Sequence, residues 1–167
     1  MAKKSKYGMY IAGGIALLFG ILAFCMMFLD AVTYTGKLGF TEFSITGSQL
    51  AFGDKLEQGS FEVETLKFNI MTLLGFALPL IGGVLALLFK NGLITKIVTT
   101  ACFVVGAVFL FSTTGFTAIS LTQDGKDAIM TLYEEKLAVG PIIGGIFAIL
   151  GAVVCFFKGT IAKKIGC

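Results

Sequence analysis

The charged residues of this chain are distributed unevenly along its sequence. Four long stretches hold no charged residue, and they cover residues 7–29, 68–89, 97–121 and 137–157. The segments between them are of two kinds, one with lysine and no acid, the other with all ten acidic residues. Each uncharged stretch reaches the roughly 20 residues needed to cross about 30 Å of hydrocarbon. The sequence therefore predicts an all-α membrane bundle of four transmembrane helices, in a single domain over residues 1–167.

The sign of the flanking charges predicts the orientation of these helices. Eight lysines lie near the two termini and between the second and third stretches. Because a lysine excess in short flanking segments is typical of the cytoplasmic side, both termini are expected in the cytoplasm. The loops 30–67 and 122–136 hold ten acids against five lysines and are expected outside the cell membrane. The expected surroundings are the lipid bilayer, and no nucleic-acid partner is expected, because juxtamembrane lysines serve topology and contact with anionic lipid.

Several residue types on which catalysis depends are missing. The chain has no His and no Trp, and all 13 basic residues are lysines, which together with 17 Phe residues indicates an A/T-rich bacterial genome. Cys25, Cys102 and Cys155 fall within the uncharged stretches, where they suit small apolar positions. Without imidazole or a Cys-x-x-Cys pair, neither a metal site nor a cofactor is expected. The paired carboxylates, such as Glu134 and Glu135, are expected to be solvated loop charges, so we expect no enzymatic activity.

The uncharged stretches also constrain transport. An ionisable side chain at membrane depth normally marks a proton relay or a permeation path, and these stretches contain none. Their polar residues are chiefly hydroxyls, which can bond to carbonyl groups of their own helix. The alternative is that Asn69 bonds across to the run from Ser112 to Thr114, which would contribute on the order of 1 kcal/mol.

Small residues recur at helical spacing and predict where the helices touch. Inside lipid, close backbone approach along such small residues supplies the van der Waals contact that holds helices together. Packing within one subunit and a homo-oligomer contact both fit this pattern. The predicted packing residues are Ala12, Ala16, Gly20, Gly82, Gly83, Gly140, Gly144, Ala148 and Ala152.

The second and fourth uncharged stretches contain nearly the same short sequence. PLIGGVLALL begins at Pro79, and PIIGGIFAIL begins at Pro141. Duplication of a two-helix unit would explain the likeness, and so would convergence on small residues at helix contacts.

The two outer loops have different patterns. In the first loop, Phe43 with Ile45 and Phe61 with Val63 alternate with polar neighbours, and glycines punctuate the sequence, so we expect an antiparallel sheet of three or four strands. In the second loop, the apolar spacing between residues 127 and 133 predicts a short amphipathic helix. The predicted interaction surface of the first loop comprises Phe40, Phe43, Ile45, Phe52, Phe61 and Val63.

The complete layout resembles a known family. Four helices with cytoplasmic ends, a strand-rich first outer loop, a short inner linker and a shorter second outer loop are similar to the claudin-like tetraspan superfamily. The resemblance implies the same topology over the whole chain. The claudin signature of Trp–Leu–Trp followed by two cysteines is absent, since QLAFG stands at residues 49–53, so no residue role is transferred.

Two classes of function fit these observations. One is a structural, adhesion or partner-binding protein, whose outer sheet binds a second copy or another envelope protein. The other is an accessory subunit or oligomeric pore of a membrane transport assembly. The charge-free helices and the sizeable first outer loop favour the first class.

Overall fold

The computed structural model describes residues 2–37, 42–58, 61–89, 92–120 and 133–165. Six α-helices and five β-strands occur in these ranges. The helices are α1 Ala2–Cys25, α2 Gly47–Phe52, α3 Ile70–Leu88, α4 Leu93–Phe111, α5 Thr113–Ser120 and α6 Val139–Ile165. The strands are β1 Asp30–Gly36, β2 Phe43–Thr46, β3 Asp54–Gln58, β4 Phe61–Leu66 and β5 Tyr133–Leu137. A short 3-10 turn over Met26–Phe28 joins α1 to β1.

Four of the helices, α1, α3, α4 and α6, are long and apolar enough to cross a membrane. This confirms the prediction of a four-helix membrane bundle with a small antiparallel sheet, and the protein is a small multi-pass integral membrane protein. The apolar segments are Tyr10–Phe28, Ile70–Leu88, Leu93–Phe111 and Val139–Ala162.

Three of these helices extend past the uncharged stretches, and α1 does so at its start, which is Ala2. α4 begins early enough to include Lys96, and it ends at Phe111 because the chain turns at Ser112 before α5. α6 begins at Val139 and includes Lys158, whose side chain is buried. A lysine can lie along apolar surface through its four-carbon stem, so the end of an uncharged run is not the end of a membrane helix.

The four long helices pack as a ring in the order α1, α3, α4, α6. Neighbouring helices run antiparallel and approach closely at glycines. A Cβ atom added to Gly20 would lie 2.5 Å from the Pro79 oxygen, and one added to Gly83 would lie 2.8 Å from Leu17 Cα. All nine predicted packing residues are buried within this single chain. They therefore pack the subunit itself, which is one of the two alternatives that the sequence leaves open.

The centre of the bundle is filled by one aromatic ring among small residues. Phe103 is fully buried, and Gly82 of α3 and Gly151 of α6 face its ring from two sides. Ala107 and Ala148 belong to the same buried cluster. Glycine and alanine at these positions leave the volume that the ring occupies, so the large and small residues complement one another.

The main sheet has three antiparallel strands in the order β2, β1, β5. Tyr34 on β1 pairs with Phe43 on one side and with Glu135 on the other. The sheet therefore takes its third strand from the segment before α6, and not from the first loop alone. Tyr133 begins that strand, which corrects its expected place on an amphipathic helix, and residues 127–132 of that helix lie outside the described ranges. The strands β3 and β4 form a separate two-stranded sheet.

The QLAF segment of the first loop is helical. Thr46 caps α2, since its hydroxyl accepts from the Gln49 amide at 3.3 Å and the Gln49 side chain accepts from the Thr46 amide at 3.0 Å. This capping box satisfies two amides that a helix start leaves unpaired. The spacing Thr-x-x-Gln in the sequence is the signal of a helix start here, and the strand interpretation passed over it.

Candidate interaction surface

The strands are attached to the bundle by hydrogen bonds of the main chain. The Gly47 amide donates to the Leu29 oxygen at 3.0 Å, and the Ala138 amide donates to the Ala31 oxygen at 3.0 Å. The Asn69 amide donates to the Ala51 oxygen, also at 3.0 Å. The first two bonds lie at junctions between helices and strands. The third joins α2 to the residue before α3. The sheet is thereby held in a fixed relation to the helices.

Asn69 joins two helices at the same end of the bundle. Its side-chain oxygen accepts from the amides of Met71 at 3.0 Å and Thr72 at 3.3 Å, which caps α3. Its side-chain nitrogen donates to the Phe116 oxygen on α5 at 2.8 Å. A contact of Asn69 across helices, which the sequence leaves open as an alternative, is therefore made, but to a main-chain oxygen of α5 and not to the hydroxyls from Ser112 to Thr114. Thr113 of that run donates to carbonyl oxygens of the preceding helix α4, to Leu110 at 2.7 Å and to Phe109 at 3.3 Å.

A buried polar cluster lies between the sheet and α5. Tyr34 and Thr117 are almost fully buried, and the Thr117 hydroxyl is hydrogen-bonded to the Glu135 carboxylate. The same hydroxyl lies 2.7 Å from the Thr114 oxygen, and it has one proton to donate between these two acceptors. A protonated Glu135 removes the conflict, because it can donate to Thr117 while Thr117 donates to Thr114.

The burial of the cluster changes its acid–base properties. Burial raises the pKa of Glu135, and the hydrogen bond from Thr117 opposes that rise. Burial, followed by the nearby charge of Glu135, raises the pKa of Tyr34 to about 12. The Tyr34 hydroxyl lies beside Thr117, yet it has no well-formed hydrogen bond to any described residue. Glu135 is therefore half-buried, and its expected place as a solvated loop charge is wrong, whereas Glu134 is exposed.

An aromatic group bridges the three strands above this cluster. The Tyr34 ring stacks on Phe43 with centroids 4.9 Å apart, and Phe43 meets Tyr133 edge to face at 5.2 Å. Such ring pairs across strands stabilise a sheet and fix its register. Sequence patterns could not place Tyr34 with Glu135, because the two residues are more than a hundred positions apart and only the pairing of β1 with β5 brings them together.

The predicted interaction residues of the first loop separate into four groups. Ile45 is buried in the core of the sheet, which contradicts its place on a surface. The spacing of two residues puts Phe43 and Ile45 on the same face of β2, and this face packs inward at Ile45. Phe43 is 38% exposed and Phe52 is 58% exposed. Phe61 and Val63 lie on β4, and Phe40 lies outside the described ranges.

Exposed aromatic side chains surround the junction between the strands and the bundle. Phe28 follows α1, Phe52 ends α2 and Phe68 precedes α3, and each is more than half exposed. Their places beside the ends of the membrane helices are those of side chains at the boundary between hydrocarbon and water. Within the described ranges no three carboxylates and thiols converge as metal ligands would.

The backbone at the base of the β3–β4 hairpin, where Gly53 lies against Leu66, is sterically constrained. Gly53 has φ of +86°, and a Cβ atom there would lie 2.7 Å from the Leu66 oxygen, so glycine is required at the base of the hairpin. In the register of the hairpin, Glu57 lies opposite Glu62.

The chain matches no protein-family model, no curated protein and no solved structure at a significant level.

Proposed function

We propose that the protein is a membrane-anchored interaction protein, and that the hairpin Asp54–Leu66 binds an extended, lysine- or arginine-rich segment of another envelope protein. One observation carries this proposal: β3 and β4 pair with each other in a separate sheet, and neither has a second neighbouring strand among the described residues. An unpaired strand edge presents a row of amide and carbonyl groups that an extended segment can bond.

The attachment of the strands supports a binding role. α2 leads into the hairpin, and Leu50 and Ala51 of α2 are fully buried against the rest of the protein. A recognition element held by a rigid base loses less conformational freedom on binding than a free loop. The chain therefore enters the hairpin from a buried helix.

Charge favours a cationic partner over a second copy. The hairpin holds four acids and one lysine, and the two loops together hold ten acids and five lysines. Two copies meeting through these surfaces would bring like charges together, whereas a basic segment would meet charges of opposite sign.

We also propose that the protein lies in the cell membrane with both termini in the cytoplasm and the strands outside. The support is the distribution of charge: the segments at one end of the bundle contain lysine and no acid, and the segments at the other end contain all the acidic residues. Membership of the claudin-like tetraspan superfamily remains a proposal that rests on this layout.

The alternative of a pore or transport subunit has weaker support. The outward faces of the long helices are apolar, with Ile81, Val108 and Ile149 among their exposed side chains. The buried hydroxyl of Thr99 bonds to carbonyl groups of its own helix, at 2.8 Å and 3.2 Å. A pore between copies needs polar groups on the outward faces.

Photo-crosslinking in intact cells tests the proposal. A photoreactive phenylalanine analogue replaces Gln58 in the hairpin or, as a control, Ile149, which is exposed on α6. We expect the hairpin position to give one discrete adduct with another protein, and the α6 position to give none. Neutralisation of the hairpin by Asp54→Asn, Glu57→Gln, Glu62→Gln and Glu64→Gln is expected to remove that adduct.

Two outcomes would contradict the proposal. One is an adduct only between copies of this chain, which would replace the cationic partner with self-association. The other is the same pattern of adducts from both positions, which would mean that the hairpin has no partner of its own.

A further inference from the structure

The short helix α2 is fixed to the ends of two membrane helices. At its start, the Gly47 amide donates to the Leu29 oxygen at 3.0 Å. At its other end, the Ala51 oxygen accepts from the Asn69 amide, also at 3.0 Å. Leu29 directly follows the membrane segment of α1, and Asn69 directly precedes that of α3. Both ends of α2 therefore lie at the level where these membrane segments end.

The length of α2 matches the spacing of those two helices. Its six residues span about 9 Å along the helix axis. The helices α1 and α3 are packed neighbours, and the axes of packed helices lie about 8–10 Å apart. α2 therefore bridges the two helix ends, and its axis lies close to the plane of the membrane.

The residues of α2 divide into a buried face and an exposed aromatic end. Leu50 and Ala51 are fully buried against the rest of the protein, whereas Phe52 is more than half exposed. The chain after Phe52 passes beside Phe68, since a Cβ atom on Gly53 would lie 3.4 Å from the Phe68 amide nitrogen. Phe68 is likewise more than half exposed. Two exposed aromatic residues therefore lie near each other at the start of α3.

These two residues continue the lipid-facing surfaces of α1 and α3. Phe28 is the last residue of the membrane segment of α1, Ile70 is the first of the segment of α3, and both side chains are exposed. In a multi-pass membrane protein, the exposed apolar faces of the spanning helices are covered by the hydrocarbon of lipid. α2 runs between Phe28 and Ile70, so the hydrocarbon that covers those two residues also reaches Phe52 at the same level.

We infer that α2 is an interfacial helix, whose Phe52 ring inserts beside Phe68 among the lipid acyl chains just below the headgroups. Insertion removes the apolar surface of both rings from water, which is the driving force for helices that lie in the plane of a membrane surface. Phe52 is thereby assigned a lipid partner, and not the protein partner that the sequence suggests for it. The hairpin, which begins after Gly53, consequently leaves the protein at the membrane surface. This inference is independent of the proposed partner of the hairpin.

Fluorescence quenching of the full chain, purified and reconstituted in phosphatidylcholine vesicles, tests the inference. The protein has no Trp, so the variants Phe52→Trp and Phe68→Trp each carry a single reporter. The vesicles contain phosphatidylcholine that is brominated either near the headgroup end or near the methyl end of its acyl chains. We expect bromine near the headgroup end to remove more than half of the emission of both variants, and bromine near the methyl end to remove less. Iodide on both sides of the membrane is expected to quench neither variant.

Two further variants calibrate the depth of the reporters. Val104 is exposed near the middle of the membrane segment of α4, so Val104→Trp is expected to be quenched most by bromine near the methyl end. Glu134 is exposed on β5 opposite Thr35, near the end of β1 that is farther from α1. Glu134→Trp is therefore expected to be quenched by iodide and by neither brominated lipid.

Three outcomes would overturn the inference. Quenching of Phe52→Trp by iodide and not by brominated lipid would mean that α2 lies in water. Protection from both quenchers would mean that a second copy of the chain, and not lipid, covers the ring. Equal quenching of Phe52→Trp and Glu134→Trp by brominated lipid would mean that the strands as a whole lie in the membrane surface, with no separate role for α2. Should Phe52→Trp fail to fold, Phe68→Trp decides the matter.

Discussion

The side-chain nitrogen of Asn69 donates a hydrogen bond to the main-chain oxygen of Phe116 at 2.8 Å, while the oxygen of the same amide caps α3. One buried side chain therefore caps the start of α3 and connects that helix to α5. Both functions need an amide, because one atom must accept while the other donates.

Substitution of Asn69 separates these two functions. Asn69→Ser keeps an oxygen that can cap α3 but loses the reach to Phe116, and we expect it to lower the free energy of unfolding by about 1 kcal/mol. Asn69→Ala loses the cap as well, and we expect a loss of about 2 kcal/mol. Denaturant unfolding in detergent measures both values. An undiminished stability of Asn69→Ser would show that the bond to Phe116 contributes nothing, and equal losses in the two variants would show the same of the cap.

The stability of the protein is expected to depend on the protonation of Glu135. An acid whose pKa is raised by folding contributes stability that is complete below its ordinary value of 4.5 and is lost as pH rises through the raised value. Glu135→Gln removes this dependence. We expect the variant to unfold at a higher temperature than the wild type at about pH 8, with the difference vanishing near pH 4. Glu134→Gln removes an exposed charge from the same strand and is the control, and a matching gain there would contradict the role of burial.

Two glycines of α6 are expected to differ in their tolerance of a methyl group. A Cβ atom at Gly140 would lie 2.8 Å from the Asp30 oxygen and 2.9 Å from the Met26 oxygen, whereas at Gly144 the nearest atoms are 3.4 Å away. Main-chain oxygens cannot move aside cheaply, so Gly140→Ala is expected to cost about 1–3 kcal/mol. Gly144→Ala is expected to be neutral or slightly stabilising, because alanine favours a helix. Thermal unfolding of the two variants checks the order, and a larger loss at Gly144 would reverse it.

Chemical labelling tests the proposed orientation. Ser44 is exposed on β2, and Cys167 is the last residue of the chain. In intact cells, we expect a membrane-impermeant maleimide to label Ser44→Cys and to leave the native Cys167 of the wild type unlabelled. Permeabilised cells should show labelling of Cys167, which controls for its reactivity. Labelling of Cys167 before permeabilisation would invert the orientation.

The sequence predicts the membrane helices well because their signal is local and strong. About 20 consecutive uncharged residues have few other structures open to them, so α1, α3, α4 and α6 could be identified without partners. The ends of α4 and α6 could not, because Lys96 and Lys158 lie against neighbouring helices and the sequence does not show those neighbours.

The strands were harder to place for a different reason. Alternation identified β2 and β4 as strands, but the partner of a strand is set by contacts between distant segments. The pairing of Tyr34 with Glu135 has no local signal, so the buried polar cluster could not be predicted. The burial of Tyr133, Glu135 and Leu137 alternates with exposed residues as in a strand, but the sequence YEEKL has an acid at its central position and so carries little sign of β5.

The position of β5 has a consequence for biosynthesis. β1 emerges early from the ribosome, yet one of its two neighbours is made only just before the final membrane helix. Gly8, near the start of the chain, likewise packs against the main chain of Ala162, which is made near the end of synthesis. Until then the first helix and the first strand have an open side, which is when nascent membrane proteins are most exposed to misassociation and proteolysis. Insertion of the last helix therefore closes the bundle and the sheet in one step, and a chain that stops short of residue 133 can complete neither.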